Sequence, residues 1–253
     1  MRTRLLIAAL SLTTLPACFQ FEIQAQAGYA NLAVDGDLGY VTGAGVGIDQ
    51  DVESAFGLGG GQGSPYGRVQ IDTGVPVLSV SAFQFSDEGQ GVLQANFGGN
   101  ANLVAGAPVA SELDMVNAKV AYAFEIGLGP VSISPGVAVD YFNLTTSVRD
   151  TFGIATEEVT LEGPIPLAFL RAEADLGIVS AVAEGGYMAV GIEDTDGELL
   201  DLEAQLVVRP TSLIELFVGY RYINLVVDGT IDGDTFDTDL TLSGLMIGGG
   251  VRF

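Results

Sequence analysis

The sequence predicts an all-β protein: a closed antiparallel up-and-down transmembrane β-barrel of about ten strands, or eight if the segment around 66–86 stays out of the wall. Three observations carry this. Apolar and polar residues alternate with a period of two through much of the chain, whereas helical periodicity is scarce. The connections between these runs are short and long by turns. Beyond the N-terminus no apolar run is long enough for a transmembrane helix, and only helices and closed barrels satisfy their backbone groups in lipid.

Composition narrows the chemistry. The 253 residues carry nine basic and 32 acidic side chains, a net charge of −23, which excludes a nucleic-acid partner held through phosphates. Histidine and tryptophan are absent, and Lys119 is the sole lysine. The usual general base near neutral pH and the commonest metal ligand are therefore missing. A single cysteine, Cys18, leaves no intramolecular disulfide and no cysteine-based zinc site. The 35 glycines suit tight turns and close-packed strands.

The N-terminus reads as an address. Arg2 and Arg4 precede an apolar run, Leu5–Leu15, of signal-peptide length. Leu15-Pro-Ala-Cys18 resembles the lipobox of bacterial lipoproteins, in which the signal is cut before a cysteine that is then lipidated; Pro16 departs from that pattern. A rival cut after Ala25-Gln-Ala27 would remove an alternating, strand-like stretch, so residues 1–18 are taken as signal and 19–253 as one barrel domain.

The strands follow in order near 20–34, 66–73, 77–86, 112–126, 131–147, 162–176, 179–193, 199–209, 213–228 and 238–253. The clearest puts Val116, Ala118, Val120, Tyr122, Phe124 and Ile126 on one face and Asn117, Lys119 and Glu125 on the other. Leu200, Leu202, Leu206 and Val208 likewise oppose Asp201, Glu203 and Gln205, and Ile214, Leu216, Val218 and Tyr220 oppose Glu215 and Arg221. Short turns fall at 72–76, 127–130, 176–179 and 210–212; long connections fall at 35–65, 87–111, 149–162 and 228–237, with 193–198 a shorter member. In 162–176 the phase is ambiguous, because Ile165, Leu167 and Phe169 share parity with Arg171, Glu173 and Asp175.

Charges sort with the same parity. Arg68, Lys119, Arg171, Arg209, Arg221 and Arg252 fall on faces pointed inward, as do Glu125, Asp140, Glu173, Asp175, Asp201, Glu203 and Glu215, while Arg149 falls in a loop. A charge facing hydrocarbon costs about 2–4 kcal/mol for Arg or Lys at the midplane, so the expected arrangement is an ion-pair network in the lumen. A soluble β-sandwich with a charged solvent face would alternate in the same way. It would not explain why the remaining acids gather in the long connections, which makes one rim strongly anionic.

The chain ends Leu245-Met-Ile247-Gly-Gly-Gly-Val251-Arg-Phe253, with Leu245, Ile247, Val251 and the terminal Phe253 on one parity. This resembles the signal by which the barrel-assembly machinery recognises outer-membrane proteins. Together with Val218–Leu225, Leu240–Gly244 and Gln26–Leu32 it resembles the small bacterial outer-membrane β-barrel superfamily that includes OmpA- and OmpW-like proteins. The resemblance implies outer-membrane location, contact with outer-membrane lipids and lipopolysaccharide, and assembly by that machinery. Gly249 stands where the family usually has a bulky apolar residue. The apolar parity also changes between Leu240/Leu242 and Leu245/Ile247, which predicts a β-bulge near Ser243-Gly244.

Little chemistry remains. The barrel enzymes of that superfamily resemble one another in using histidine, so the chain is read as no enzyme and as needing no cofactor. Asp228–Asp239 offers oxygen ligands at alternating spacing but lacks the EF-hand register, leaving divalent cations as partners of acidic loops at most. Interiors of about eight strands are filled by side chains, and open pores need about sixteen. The expectation is a small monomeric outer-membrane barrel with a structural or surface-interaction role. The alternatives are a narrow channel or hydrophobic-ligand carrier, and a lipid-tethered soluble β-sandwich that binds a ligand.

Overall fold

A computed structural model describes residues 21–42, 49–99, 102–192, 195–231 and 234–253; Cys18 and the N-terminal segment lie outside them. In chain order the elements are β1 (Glu22–Val41), a one-turn helix α1 (Val52–Phe56), β2 (Gln62–Asp72), β3 (Pro76–Val92), β4 (Pro108–Phe124), β5 (Ile126–Leu128), β6 (Val131–Asp150), β7 (Thr156–Asp175), β8 (Val179–Ile192), β9 (Thr195–Val208), β10 (Ile214–Ile231) and β11 (Asp234–Arg252). Every neighbouring pair is antiparallel. β1 pairs with β11 from Gln24↔Arg252 to Val41↔Thr235, and β4 pairs with β6 from Ala123↔Gly136 to Val109↔Asp150, which closes the ring. The short β5 continues β4 past Glu125, so the wall is the closed barrel of ten strands that the alternation predicts.

The strands run further than the sequence suggests. Strands take up most of the expected long connections: β6 and β7 run to Asp150 and from Thr156, β8 and β9 pair as far as Ile192↔Thr195, β10 and β11 as far as Ile231↔Asp234, and Arg149 stands on β6. Many acids expected in loops, among them Asp35, Asp37, Glu88, Glu158, Asp196 and Asp237, stand on strands instead. Once a strand has left the membrane its outward face meets water, so charged residues no longer signal its end.

Outside and inside exchange polarity along the barrel axis. Near the short turns the outward residues are apolar, as on β4 from Val116 to Phe124 and on β11 from Leu245 to Phe253. Nine residues at about 3.3 Å each, tilted roughly 40°, rise about 23 Å, close to the ~25 Å apolar band of a membrane barrel. Tyr29, Tyr141, Tyr187 and Tyr220 ring its upper margin, where amphipathic rings suit an interface. Inside this band the wall is polar. Beyond it the pattern inverts: outward positions become Asp35, Glu88, Glu112, Asp114, Glu158, Glu162 and Glu198, while Leu32, Phe85, Leu113, Phe142, Leu144, Ile223, Leu240 and Leu242 pack inside.

This inversion corrects the expected bulge. The registers run one to one through the site (Ala33↔Ser243 and Leu32↔Gly244 on one side, Tyr222↔Ser243 and Arg221↔Gly244 on the other). Leu240, Leu242 and Met246 face the interior and Leu245 and Ile247 face out, with no slip between them. The side chains keep their phase while the surroundings change from water to lipid. It also settles β7, where Leu167 and Phe169 share the interior with Arg171.

Two connections fold into the far mouth. Phe56, Leu58, Leu93, Phe97 and Leu103 are fully buried there, and the Gln50 side-chain oxygen accepts the N–H groups of Gln94 and Ala95 at 2.7 and 2.9 Å, tying one connection to the other. Asp51 caps α1 by accepting from the N–H and hydroxyl of Ser54; the hydroxyl bond, then the N–H bond, holds its carboxyl below the usual range. The helix ends at Gly57 in the left-handed conformation and lies on Gly89 and Gly91 of β3. A Cβ at either glycine would come within 2.2 Å of a helix carbonyl oxygen, so only glycine lets the two backbones meet.

Candidate functional site

The apolar band encloses a belt of charges that spans the lumen. Lys119 on β4 reaches Asp201 on β9 at 2.8 Å and Glu184 on β8 at 3.3 Å. Arg221 on β10 pairs with Glu203 at 2.7 Å and Asp201 at 3.0 Å, and lies 5.0 Å over the ring of Phe83. Arg68 on β2 bridges Glu203 at 3.0 Å and Glu184, which stands almost opposite in the ring. Arg171 joins Glu184 to Glu173, and Arg209 carries the chain on to Glu173 and Asp175 at the short-turn mouth. Tyr66 and Gln205 donate to the same oxygen of Glu203, at 2.9 and 2.8 Å. A fixed, multiply bonded network is what makes burial of so many charges tolerable, because an unpaired buried charge costs several kcal/mol, whereas each of these except the half-exposed Asp175 has at least two partners.

Below the belt the lumen opens toward the short turns. A cavity of about 250 Å³ is lined by Glu22, Asp72, Glu125, Glu173, Arg209 and Arg252, among others. A second, small cavity of about 10 Å³, room for one water at most, lies among Arg68, Arg171, Gln205 and Arg209. Above the belt come the aromatic and aliphatic residues of the far half.

The expected lumen residues divide. Lys119, Arg171, Glu173, Asp201, Glu203, Arg209 and Arg221 come together in the belt, and Arg252 makes a separate pair with Glu22 at the mouth. Three expectations need correction: among the described residues Glu125, Asp140 and Glu215 make no ion pair. Glu215 is fully buried but accepts from Gln24 and Gln26, at 2.6 and 2.8 Å. Asp140 accepts from Asn117, because Lys119 directly across the pairing leans away to Asp201. Glu125 sits at the rim, half-exposed, at the break between β4 and β5. Glu184 was missed, although a lone acid inside the apolar run Val179–Val190 has nowhere to point but inward. Leu245, Ile247, Val251 and Phe253 all face outward. No three carboxylates among the described residues converge to hold a metal, and Asp228–Asp239 is mostly hairpin strand.

No family model and no curated protein matches the chain. Solved structures do. The outer membrane protease OmpT of Escherichia coli superposes with a TM-score of 0.53 at 8% identity, over 92% of this chain and 96% of that one. Ail, the attachment invasion locus protein of Yersinia pestis, gives 0.38 at 11–12% identity over 92% and 98–99% coverage, and Neisserial surface protein A gives 0.34 at 12% over 92% and 97%. The fold is that of a bacterial outer-membrane β-barrel. At these identities the likeness speaks for architecture and leaves chemistry to the residues. In this barrel the interior is occupied at mid-height by ion pairs and at the far mouth by an apolar plug.

Proposed function

We propose that the protein is a small, monomeric, non-catalytic outer-membrane barrel whose lumen is closed and whose work is done by its outward-projecting half. The acid-rich end with the plug faces the cell exterior and the short turns face the periplasm. The observation that carries the reading is the belt: Arg68 and Lys119 bond to carboxylates on strands across the ring, and Arg221 holds Asp201 and Glu203 from the neighbouring strand. An ion crossing the lumen would have to displace these pairs.

Several features support the rest. β1 is paired from Gln24, and a signal cut after Ala27 would delete the start of a wall strand; this favours a cut near Cys18 and keeps its lipidation as a proposal. The outward row ending in Phe253 suits recognition by barrel-assembly machinery. Above the tyrosines the wall is acidic apart from Arg149, so contact with phosphorylated lipopolysaccharide would run through bridging divalent cations.

Two measurements test this. Folded in detergent, the mature chain should migrate differently on a gel before and after boiling and should fractionate with outer membranes; recovery in the soluble periplasm removes the reading. Reconstituted in a planar bilayer it should be electrically silent. Discrete conductance steps would favour the narrow-channel alternative instead.

A further inference from the structure

The pairing of the barrel wall parts at two places. β7 pairs with β6 along its length, from Arg149↔Thr156 to Val131↔Ala174, but with β8 only from Ala168↔Tyr187 to Asp175↔Ser180. Above Tyr187, β8 follows β9 alone. The outer half of β7, residues 156–167, therefore has a second edge whose backbone groups no described residue bonds. The wall also parts between β2 and β3 above Tyr66↔Phe83, but there α1 lies on Gly89 and Gly91, and Asp87 accepts from Gly59 N–H and Gln62. One gap is covered; the other is bare.

The bare edge has a defined chemistry. Pro164 and Pro166 pair with β6 opposite Tyr141 and Val139, and lacking an N–H they must turn their nitrogen side away from β6. By the two-residue period, Glu158, Thr160 and Glu162 aim their N–H and C=O groups the same way, at the free edge. Proline on an open edge also blunts uncontrolled pairing, which here protects the base of the gap at the membrane margin. On the inward parity Val159, Leu161 and Ile165, with Met188 across the gap, are only partly buried against the core. On the outward parity the β7 lip carries Glu158 and Glu162 and the β8 lip Ala189 and Gly191, with Asp196 and Glu198 one strand behind on β9 beside a groove of about 360 Å³.

We propose that this free edge of β7 is a docking edge for an extended partner polypeptide in which basic residues alternate with apolar ones. Its backbone would continue the sheet, its apolar side chains would complete the cover over Val159, Leu161 and Ile165, and its basic side chains would face Glu158 and Glu162 on β7 and extend over Ala189 and Gly191 toward Asp196 and Glu198. A second copy of this chain fits poorly, because two such edges side by side would set carboxylates against carboxylates. The inference rests on the outer half facing the exterior, as proposed above.

The probe is a fluorescent peptide of about ten residues alternating lysine and valine, titrated into the folded mature protein in detergent. Three controls accompany it: an alternating glutamate–valine peptide, a lysine–valine peptide N-methylated on one edge, and the variant Thr160→Pro. The variant removes one edge N–H and leaves the β6 ladder intact. The lysine–valine peptide should bind, the acidic and N-methylated peptides should fail, and Thr160→Pro should weaken binding about three- to tenfold. Amide exchange should show Glu158, Thr160 and Glu162 exchanging fast in the free barrel and slowing with peptide. Equal binding of the N-methylated peptide would reduce the effect to charge and overturn the proposal. So would slow exchange of those amides in the free barrel, or a detergent-soluble dimer that buries them. Failure of these arms in a heat-modifiable, folded barrel refutes the docking edge alone; loss of heat modifiability refutes the barrel reading itself.

Discussion

Replacing Arg221 by methionine separates a fixed belt from a wet lumen. Arg221 is 1% exposed, pairs with Glu203 and Asp201 at 2.7 and 3.0 Å, and donates to Asn117 at 3.4 Å. Removing one member of a buried network leaves its partners under-compensated, typically at a cost of 3–5 kcal/mol. Here Asp201 keeps Lys119 and Glu203 keeps Arg68, so the expected loss lies near the lower limit, about 3 kcal/mol. The assay is urea unfolding in lipid vesicles, followed by tyrosine fluorescence and gel mobility. Arg221→Lys should lose less, since it keeps a cation beside Asp201 and Glu203. A loss below about 1 kcal/mol for Arg221→Met, the range of solvent-exposed pairs, would mean that water fills the belt and that the lumen is not closed.

Other expectations test the rest of the architecture. Leu206→Arg, in the middle of the outward apolar band, should cost about 2–4 kcal/mol of vesicle stability, while Thr145→Arg on the outer half should be close to neutral; equal effects would misplace the membrane. Gly89→Ala should unseat α1 and speed protease cleavage in 49–61 without changing the boiled-to-unboiled gel shift, and unchanged cleavage would refute the backbone contact. Asp51→Ala should loosen the same cap by about 1 kcal/mol. Because bonding lowers the folded-state pKa of Asp51, its stabilisation is present above the unfolded carboxylate value and lost as pH falls through the lower folded value. Cleavage near α1 should therefore rise on acidification in the parent and change less in Asp51→Ala.

Alternation alone made the wall legible, because a barrel strand in lipid obeys one rule over about nine residues. Val116–Phe124 and Leu200–Val208 read correctly for that reason. The upper halves did not, since past the tyrosines the rule inverts while the parity continues. Leu240 and Leu242 looked like a slipped register, and Asp35 and Glu158 like loop residues. Parity could name the sides of the belt but not its partners: Lys119 chooses Asp201 over the directly paired Asp140, a decision made across the lumen by strands far apart in sequence. The plug was invisible for a related reason. Phe56, Leu58 and Phe97 carry no periodicity, and what buries them is the open mouth of the ring.

The inverted polarity also fixes the height at which the barrel sits. Sinking it by two residues would carry Asp114, Glu162 and Glu198 into hydrocarbon, and raising it would expose Leu245, Ile247 and their neighbours to water. Both errors are uphill, so the tyrosines stay near the surface. The prolines of β7 lie at that same level, which puts the unpaired strand edge immediately above the lipid instead of within it. An open edge inside a bilayer would leave backbone groups unsatisfied; an open edge just outside can wait in water for a strand. The acidic wall thus serves two ends with one set of residues: it locks the axial position, and it selects what can approach the gap.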